Sequence, residues 1–356
     1  MSAVPPRQTT ILKVDRSQPQ APAIEQAARI IQAGGLVAFP TETVYGLGAN
    51  ALDAAAVDRI FAAKGRPSTD PIIVHLAVQE ALPQIAHDIP ERAWALAAAF
   101  WPGPLTLILQ RAALVPENVS AGRPTIAVRM PAHPVAQALI TAAARPLAAP
   151  SANRFSRPSA TSAQHVLEDL GGRIDLILDG GPAPIGVEST VVDLTTEPPR
   201  ILRPGGISIE ALRPYLPDVL WTPAYLTADQ TAVAPGQMIR HYAPRAELLL
   251  FGGPMAAVRA AILDEAGRRA RQGARVGILT TDEEAPVFAQ VVDDVIALGR
   301  AEDLERIAAG LFAAIRDLDG RGVDIILAHG FGQRGLGAAL WDRLLRAAEG
   351  RVIAAE

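Results

Sequence analysis

Along the first two hundred residues, apolar positions recur either at the 3.6-residue period of a helix or in short runs of strand length. Residues 1–21 are rich in Pro and Gln and read as an extended tail, with a short strand at Thr10–Val14. Ala23–Ala33 reads as a helix that keeps Ile24, Ala27, Ala28 and Ile31 on one face and stops at Gly34-Gly35. Leu36–Phe39 is a buried strand ending at Pro40, and Thr41–Ala51 reads as a loop. Asp53 is placed to cap the next helix. There Val57, Ile60, Phe61 and Lys64 fall at i, i+3, i+4 and i+7, so Lys64 extends an apolar stripe. Pro71–Ala77 is rich in β formers, and Pro90–Phe100 is helical up to the breaker Trp101-Pro102-Gly103-Pro104. Strands at Leu105–Leu109 and Thr125–Met130, a helix at His133–Ala144, and a strand at Leu147–Pro150 leading into a polar loop follow. Ser162–Leu170 is helical, and Ile174–Leu178, Thr190–Leu194 and Arg200–Leu202 are further strands. Such interleaving predicts an α/β fold with a mixed sheet flanked by helices.

The pattern breaks near Tyr215. Residues 214–244 hold five prolines, three tyrosines and a tryptophan without periodicity, and read as a long interdomain linker whose aromatic content favours packing against something. From Glu247 onward the apolar runs Leu248–Phe251, Val276–Leu279, Val291–Ile296 and Val323–Ala328 alternate with helical stretches. In Glu302–Asp317, Leu304, Ile307, Leu311, Phe312 and Ile315 make one helical face. This predicts a smaller α/β domain with a parallel sheet. The expected division is therefore a first domain at 1–213, a linker at 214–244 and a second domain at 245–356.

Composition narrows the function classes. The chain lacks cysteine, which excludes disulfides, thiol chemistry and Cys-ligated zinc. Its six histidines have no i, i+4 pair. The net charge of −4 argues against stable nucleic-acid binding. No apolar run reaches spanning length, and the first residues lack a secretory h-region, so a cytoplasmic protein without a membrane span is expected. Of the 33 basic residues only Lys13 and Lys64 are lysines. In a chain that uses arginine almost everywhere, a retained lysine points to a need for a compact charge that can approach an anion end-on. Chance retention is the alternative, and it suffices for Lys13 in the tail.

The usual nucleotide signatures, G-x-x-x-x-G-K-[ST] and an early G-x-G-x-x-G, are missing, and Gly330–Gly337 has the wrong spacing for a dinucleotide. Five polar loops at strand ends remain. Lys64-Gly-Arg66-Pro-Ser68-Thr-Asp70 places two cations beside a Gly-Pro turn, where they suit one anion or simply the dipole of a helix end. Ser151-Ala-Asn153-Arg154 follows an apolar strand and contains one of only three asparagines. Phe39-Pro-Thr41-Glu-Thr43-Val-Tyr45-Gly46 offers small hydroxyls and glycines. Val187-Glu188-Ser189-Thr190 and Arg203-Pro-Gly205-Gly206 complete the set. His75 alternates within a strand, where a lone histidine is more often structural than catalytic. Ser151 has no G-x-S-x-G context for a hydrolase. Convergence of five such loops beyond the strand ends of one sheet is the functional signal.

In the order FPTETVYGLGANA (39–51), AKGRPSTDPIIVHL (63–76), WPGPLTLIL (101–109), TIAVRMPAHP (125–134), APSANRFSRPSATSA (149–163), GVESTVVDL (186–194), ILRPGGIS (201–208) and HYAP (241–244), the chain resembles the YrdC-like family of L-threonylcarbamoyladenylate synthases in its two-domain form. The resemblance implies a YrdC-like mixed twisted sheet, a smaller C-terminal Rossmann-like α/β domain, and a linker lying over the active site. It implies a nucleotidyltransferase that makes threonylcarbamoyl-AMP and pyrophosphate from ATP, L-threonine and bicarbonate. The product serves threonylcarbamoyl modification of the adenosine next to the anticodon, position 37, in tRNAs reading codons that begin with A. A hand-off to the tRNA threonylcarbamoyl transferase machinery is implied as well.

Carried over residue by residue, Lys64, Arg66, Ser151 and Asn153 would be catalytic. Thr43, His75, Arg129, Ala149 and Ser189 would contact threonine. Arg66, Asp70, Thr125, Ser151, Ser159, Arg203, His241 and Tyr242 would contact ATP, with Mg²⁺ travelling on the nucleotide and no dedicated protein metal site. Lys64 would hold bicarbonate or carbamate against the α-phosphate. Three departures stand out: Asp70 where asparagine is commoner, Phe155-Ser156 for Ser-Gly, and Gln237-Met238-Ile239 for Met-Lys-Tyr. The rival readings are an RNA-binding module and a related carbamoyl-adenylate enzyme with another acceptor.

Overall fold

A computed structural model describes residues 8–221 and 241–356. The described residues divide into two compact units: 8–155, 159–184 and 188–221 form one, and 156–158, 185–187 and 241–356 the other. Among the described residues no helix is long and apolar enough to cross a membrane.

In chain order the first unit contains β1 (Thr10–Lys13), α1 (Ala21–Gln32), β2 (Val37–Phe39), β3 (Gly46–Asn50), α2 (Ala54–Lys64), β4 (Ile73–His75), α3 (Leu82–Ile85), β5 (Ala86–His87), α4 (Glu91–Phe100) and β6 (Leu105–Arg111). It continues with β7 (Thr125–Arg129), α5 (Pro134–Ala143), β8 (Leu147–Ala148), α6 (Ala163–Leu170), β9 (Leu176–Asp179), β10 (Thr190–Asp193), β11 (Arg200–Arg203), α7 (Ile209–Leu212) and β12 (Leu220–Trp221). The strands make one mixed sheet in the order β1-β9-β2-β3-β8-β4-β7-β6-β10-β11-β12, with β5 beside β6. Parallel pairs such as β4–β7 and β6–β10 alternate with antiparallel ones such as β6–β7 and β10–β11.

Two cores lie on opposite faces of this sheet. One joins Leu47, Val74, Leu107 and Val128 to Val57, Ile60 and Phe61 of α2, Leu96 of α4 and Val166 of α6. The other packs Val37, Phe39, Leu147 and Leu176 against Ile24, Ala27 and Ile31 of α1 and Val135 and Leu139 of α5. Local signals explain the ends of α2: the Asp53 side chain accepts from Ala55 N and Ala56 N, and Gly65 closes the helix at φ 66°. Such a cap contributes about 1 kcal/mol, and glycine takes the left-handed cap without a Cβ penalty.

The structure corrects three expectations. Thr41–Ala51 is not all loop, because β3 runs through Gly46–Asn50 and pairs with both β2 and β8. Glycine hid this strand: the Phe39 ring covers Gly46 and Gly48, and a Cβ at Gly48 would lie 2.7 Å from Phe39 Cε1. The stretch read as linker begins with structure, since Leu220–Trp221 pairs with β11 as β12. Residues 222–240, which include Gln237-Met238-Ile239 and most of the expected lid, lie outside the described residues. Val291–Ile296 starts too early: Val291 is exposed and the strand is Asp294–Ala297.

The second unit is built on β13 (Glu247–Gly252), α8 (Met255–Arg271), β14 (Val276–Thr280), α9 (Ala285–Phe288), β15 (Asp294–Ala297), α10 (Leu304–Gly320), β16 (Ile325–His329), α11 (Leu336–Ala347) and β17 (Val352–Ala354). Its sheet is parallel throughout, in the order β15-β14-β16-β13-β17. The Asp303 side chain caps α10 by accepting from Arg306 N.

Candidate active site

Strand register, rather than loop convergence alone, assembles the polar residues of the first unit. His75 of β4 pairs with Arg129 of β7, Arg129 with Thr106 of β6, Thr106 with Val191 of β10, and Val191 with Arg203 of β11. Side chains alternate with period two, so these residues share a face with Ile73, Ala127 and Ile108. Ile73, Ile108, Ala127 and Val191 form a small buried apolar floor, and the polar side chains stand around it.

On that face Arg129 is the hub. It is 3% exposed and donates from Nε to Gly103 O (3.2 Å), from Nη1 to Thr43 Oγ1 (2.9 Å) and from Nη2 to Glu42 Oε1 (2.6 Å). Thr41 gives its hydroxyl proton to Val44 O at 2.6 Å, so at 2.9 Å the Thr43 hydroxyl donates to Thr41 Oγ1 and keeps its lone pairs for Arg129. Beside Arg129, His75 is buried, its Nδ1 3.2 Å from Ile73 O and its ring edge-on to Phe39. Burial first and the Arg129 charge second push its pKa down to about 3, so it is a neutral imidazole at neutral pH. Ala149 is buried and donates its N–H to Ile73 O.

The hydroxyls of Thr106 and Ser189 lie 2.7 Å apart, and Arg203 reaches Ser189 O through Nε (3.2 Å) and Nη2 (3.0 Å). Gly205 permits this closeness: a Cβ there would stand 2.3 Å from Glu188 O and 2.4 Å from the Ser189 carbonyl carbon. Ser159 donates to Glu188 Oε1 at 2.5 Å, with both residues buried.

Lys64 is 3% exposed at the last turn of α2. Its Nζ donates to Ser151 O and Asn153 O, both at 2.5 Å, and its own carbonyl accepts from Phe155 N. The lysine therefore binds the 151–155 loop to the helix end, and a compact ammonium suits two converging carbonyls better than a planar fork. Ser151 also forms a bridge with Gly46, and Asn153 Nδ2 donates to Arg154 O. Arg66 donates to Asp70 O (3.1 Å) and Pro71 O (2.7 Å) and pairs with Asp70 Oδ1 at 2.9 Å. Asp70 is fully buried. Burial raises its pKa, opposed by the charges of Arg66, Lys64 and Arg203. Three cations thus face one carboxylate, a balance that suits a polyanion.

Three further expected residues lie elsewhere in the fold. Thr125 is at the other end of β7 from Arg129, four residues or roughly 13 Å of strand away. His241 and Tyr242 belong to the second unit. There Tyr242, at φ 61°, packs its ring 5.2 Å from Phe312 and 5.3 Å beneath the Arg343 guanidinium. Conversely, sequence reasoning assigned no role to Glu42, Thr106 or Glu188. The polar position of Thr106 within the apolar strand Leu105–Leu109 was the available signal. Among the described residues no three His, Cys, Asp or Glu side chains are grouped to hold a metal ion.

Residues 29–205 match the Sua5/YciO/YrdC family profile, described as "Telomere recombination". Residues 207–349 match the profile "Threonylcarbamoyl-AMP synthase, C-terminal domain". The chain is 49% identical over 331 residues to the threonylcarbamoyl-AMP synthase of Pyrococcus abyssi, covering 93% of this chain and 95% of that one. To the protein of the same name from Bacillus subtilis it is 46% identical over 334 residues, covering 93% and 94%. The crystal structure of P. abyssi Sua5 complexed with L-threonine superimposes with a TM-score of 0.92 at 47% identity, covering 98% of this chain and 100% of that one.

Proposed function

Because the chain belongs to the threonylcarbamoyl-AMP synthase family, we propose that this enzyme joins L-threonine, bicarbonate and ATP into threonylcarbamoyl-AMP and pyrophosphate. On this reading the product supplies the threonylcarbamoyl group for adenosine 37 of tRNAs that read codons beginning with A, through a transferase that acts on the tRNA. The observation that carries the proposal is the pairing of two neighbouring polar groups. One is the Lys64–Arg66–Arg203 cluster around Asp70, and the other is the Arg129–Thr43–His75 group on the apolar floor.

The cation cluster takes the triphosphate, with Arg66 and Arg203 neutralising phosphate oxygens. Thr125, farther along β7, leaves room for the rest of an extended nucleotide, and His241 and Tyr242 are the proposed contacts from the linker end. Mg²⁺ is assigned to the phosphate oxygens of ATP, where it would lower their charge. Arg129 takes the threonine carboxylate, and Thr43, neutral His75, Ala149 and Ser189 surround the amino acid.

Two anions must meet in this reaction, the carbamate formed from threonine and bicarbonate and the α-phosphate it attacks. The chain contributes mainly position and neutralisation. Lys64 serves both by fixing the Ser151 and Asn153 carbonyls and by placing a positive charge beside that loop. Pyrophosphate release from ATP, measured with and without L-threonine and bicarbonate, tests the proposal. Release that does not depend on threonine sinks it. Release driven equally well by valine sinks the threonine assignment, because a site that binds the hydroxyl rejects the analogue lacking it by on the order of 10⁴-fold.

A further inference from the structure

Glu42 is a buried carboxylate only half satisfied. At 8% exposure its Oε1 receives Arg129 Nη2 at 2.6 Å, while its Oε2 has no hydrogen-bond partner among the described residues. Buried carboxylate oxygens without a donor are rare in native proteins, and each calls for a reason. The titratable groups facing this one are Arg129 and the buried His133, whose own pKa burial lowers. Neither is directed at Oε2.

A guanidinium and a carboxylate held side by side match the two charges that an α-amino acid carries on one carbon. Arg129 commits three N–H groups to Gly103, Thr43 and Glu42, and a guanidinium has five. The remaining donors suit a carboxylate, and Oε2 of Glu42 suits the ammonium. We propose that Glu42 receives the α-ammonium of the amino-acid substrate through Oε2, making it a specificity-determining residue of the threonine site. The inference rests on the threonine reading of that site. Glu42 then requires of a ligand a cationic group next to its carboxylate, a requirement that none of the neutral groups Thr43, His75 or Ala149 imposes.

The competing role is purely structural, with Glu42 orienting Arg129. Glutamine at 42 keeps an oxygen for Arg129 and loses the charge, so two ligands separate the roles. Calorimetry on the full chain with L-threonine and with 3-hydroxybutyrate, which lacks the amine, gives both affinities in wild type and in Glu42→Gln. The expected result is a loss of about 10- to 100-fold for L-threonine, the range of a charge-assisted hydrogen bond, against less than about threefold for 3-hydroxybutyrate. Equal losses for both ligands, or no loss for threonine, overturn the proposal. If Glu42→Gln does not fold, wild type decides alone: it must prefer threonine over 3-hydroxybutyrate by at least tenfold, and equal affinities overturn the assignment. Wild type that binds no threonine at all refutes the functional reading, whereas threonine binding indifferent to Glu42 refutes only this inference.

Discussion

Replacing Lys64 with methionine keeps the length of the side chain and removes its ammonium. The structure gives that ammonium two carbonyl acceptors, Ser151 O and Asn153 O, each at 2.5 Å and away from solvent. Hydrogen bonds from a charged donor contribute about 1.5–3 kcal/mol each, so the pair amounts to roughly 3–6 kcal/mol. Methionine no longer has a charge to desolvate, which returns part of this and leaves a net loss of about 2–4 kcal/mol. In a domain of this size 1 kcal/mol is worth roughly 2–4 °C, so the melting temperature should fall by about 5–15 °C. Differential scanning calorimetry measures that change, and pyrophosphate release at a temperature where both proteins are folded measures catalysis. A Lys64→Met protein with wild-type melting temperature would refute the claim that Lys64 clamps the 151–155 loop. Lys64→Arg refines the test. Its planar head is too broad for two carbonyls converging on one point, so it should lose stability and activity despite retaining charge. Full activity in the arginine variant would mean that charge alone matters.

Three further outcomes follow from the same geometry. In Asp70→Asn a buried carboxylate is removed. Its folded-state pKa is raised, so ionisation costs stability as pH climbs above the ordinary value of 3.8. The stability of the variant relative to wild type should therefore increase from pH 4 to pH 7 in urea titrations, and a decrease would mean that the Arg66 pair outweighs burial. His75, with its pKa pushed down to about 3, must be charged on unfolding below 6.5, so wild type loses stability as pH falls from 6.5 towards 3. His75→Asn should flatten that slope, and NMR should show a neutral ring at pH 5. Gly205→Ala drives a methyl into backbone at 2.3–2.5 Å. It should cost about 1–3 kcal/mol as overpacking and lower pyrophosphate release by displacing Arg203 and Ser189, and unaltered kinetics would show that these loops need not touch.

Much of the site was legible because polar residues broke apolar patterns. Lys64 stood on the stripe of Val57, Ile60 and Phe61, and α2 presents it buried beside Ser151 and Asn153. The alternation in Ile73-Val74-His75 and in Thr125–Arg129 was also there to read. Which strands lie side by side was not, because pairing β4 with β7 and β6 with β10 is a long-range event that no local period encodes. The helix α11 escaped notice for a different reason. Its buried face carries Asp342 between Arg343 and Arg346, both of which pair with that carboxylate, so its pattern looks wet where it is dry. Glu42 was overlooked because its partner Arg129 is 87 residues away in the chain.

That spread has a consequence for how the protein comes into being. Thr43, Lys64, Arg129, Ser151 and Arg203 are contributed by segments that become neighbours only once β3, β8, β4, β7, β6, β10 and β11 are zipped together in that order. No stretch of a few dozen residues contains half a site. A ribosome that has released fewer residues than the end of β11 holds a chain without Arg203, and a refolding chain with β7 unpaired has no Arg129 in place. Activity should therefore arrive late and all at once during synthesis or refolding, with no partly competent intermediate preceding it.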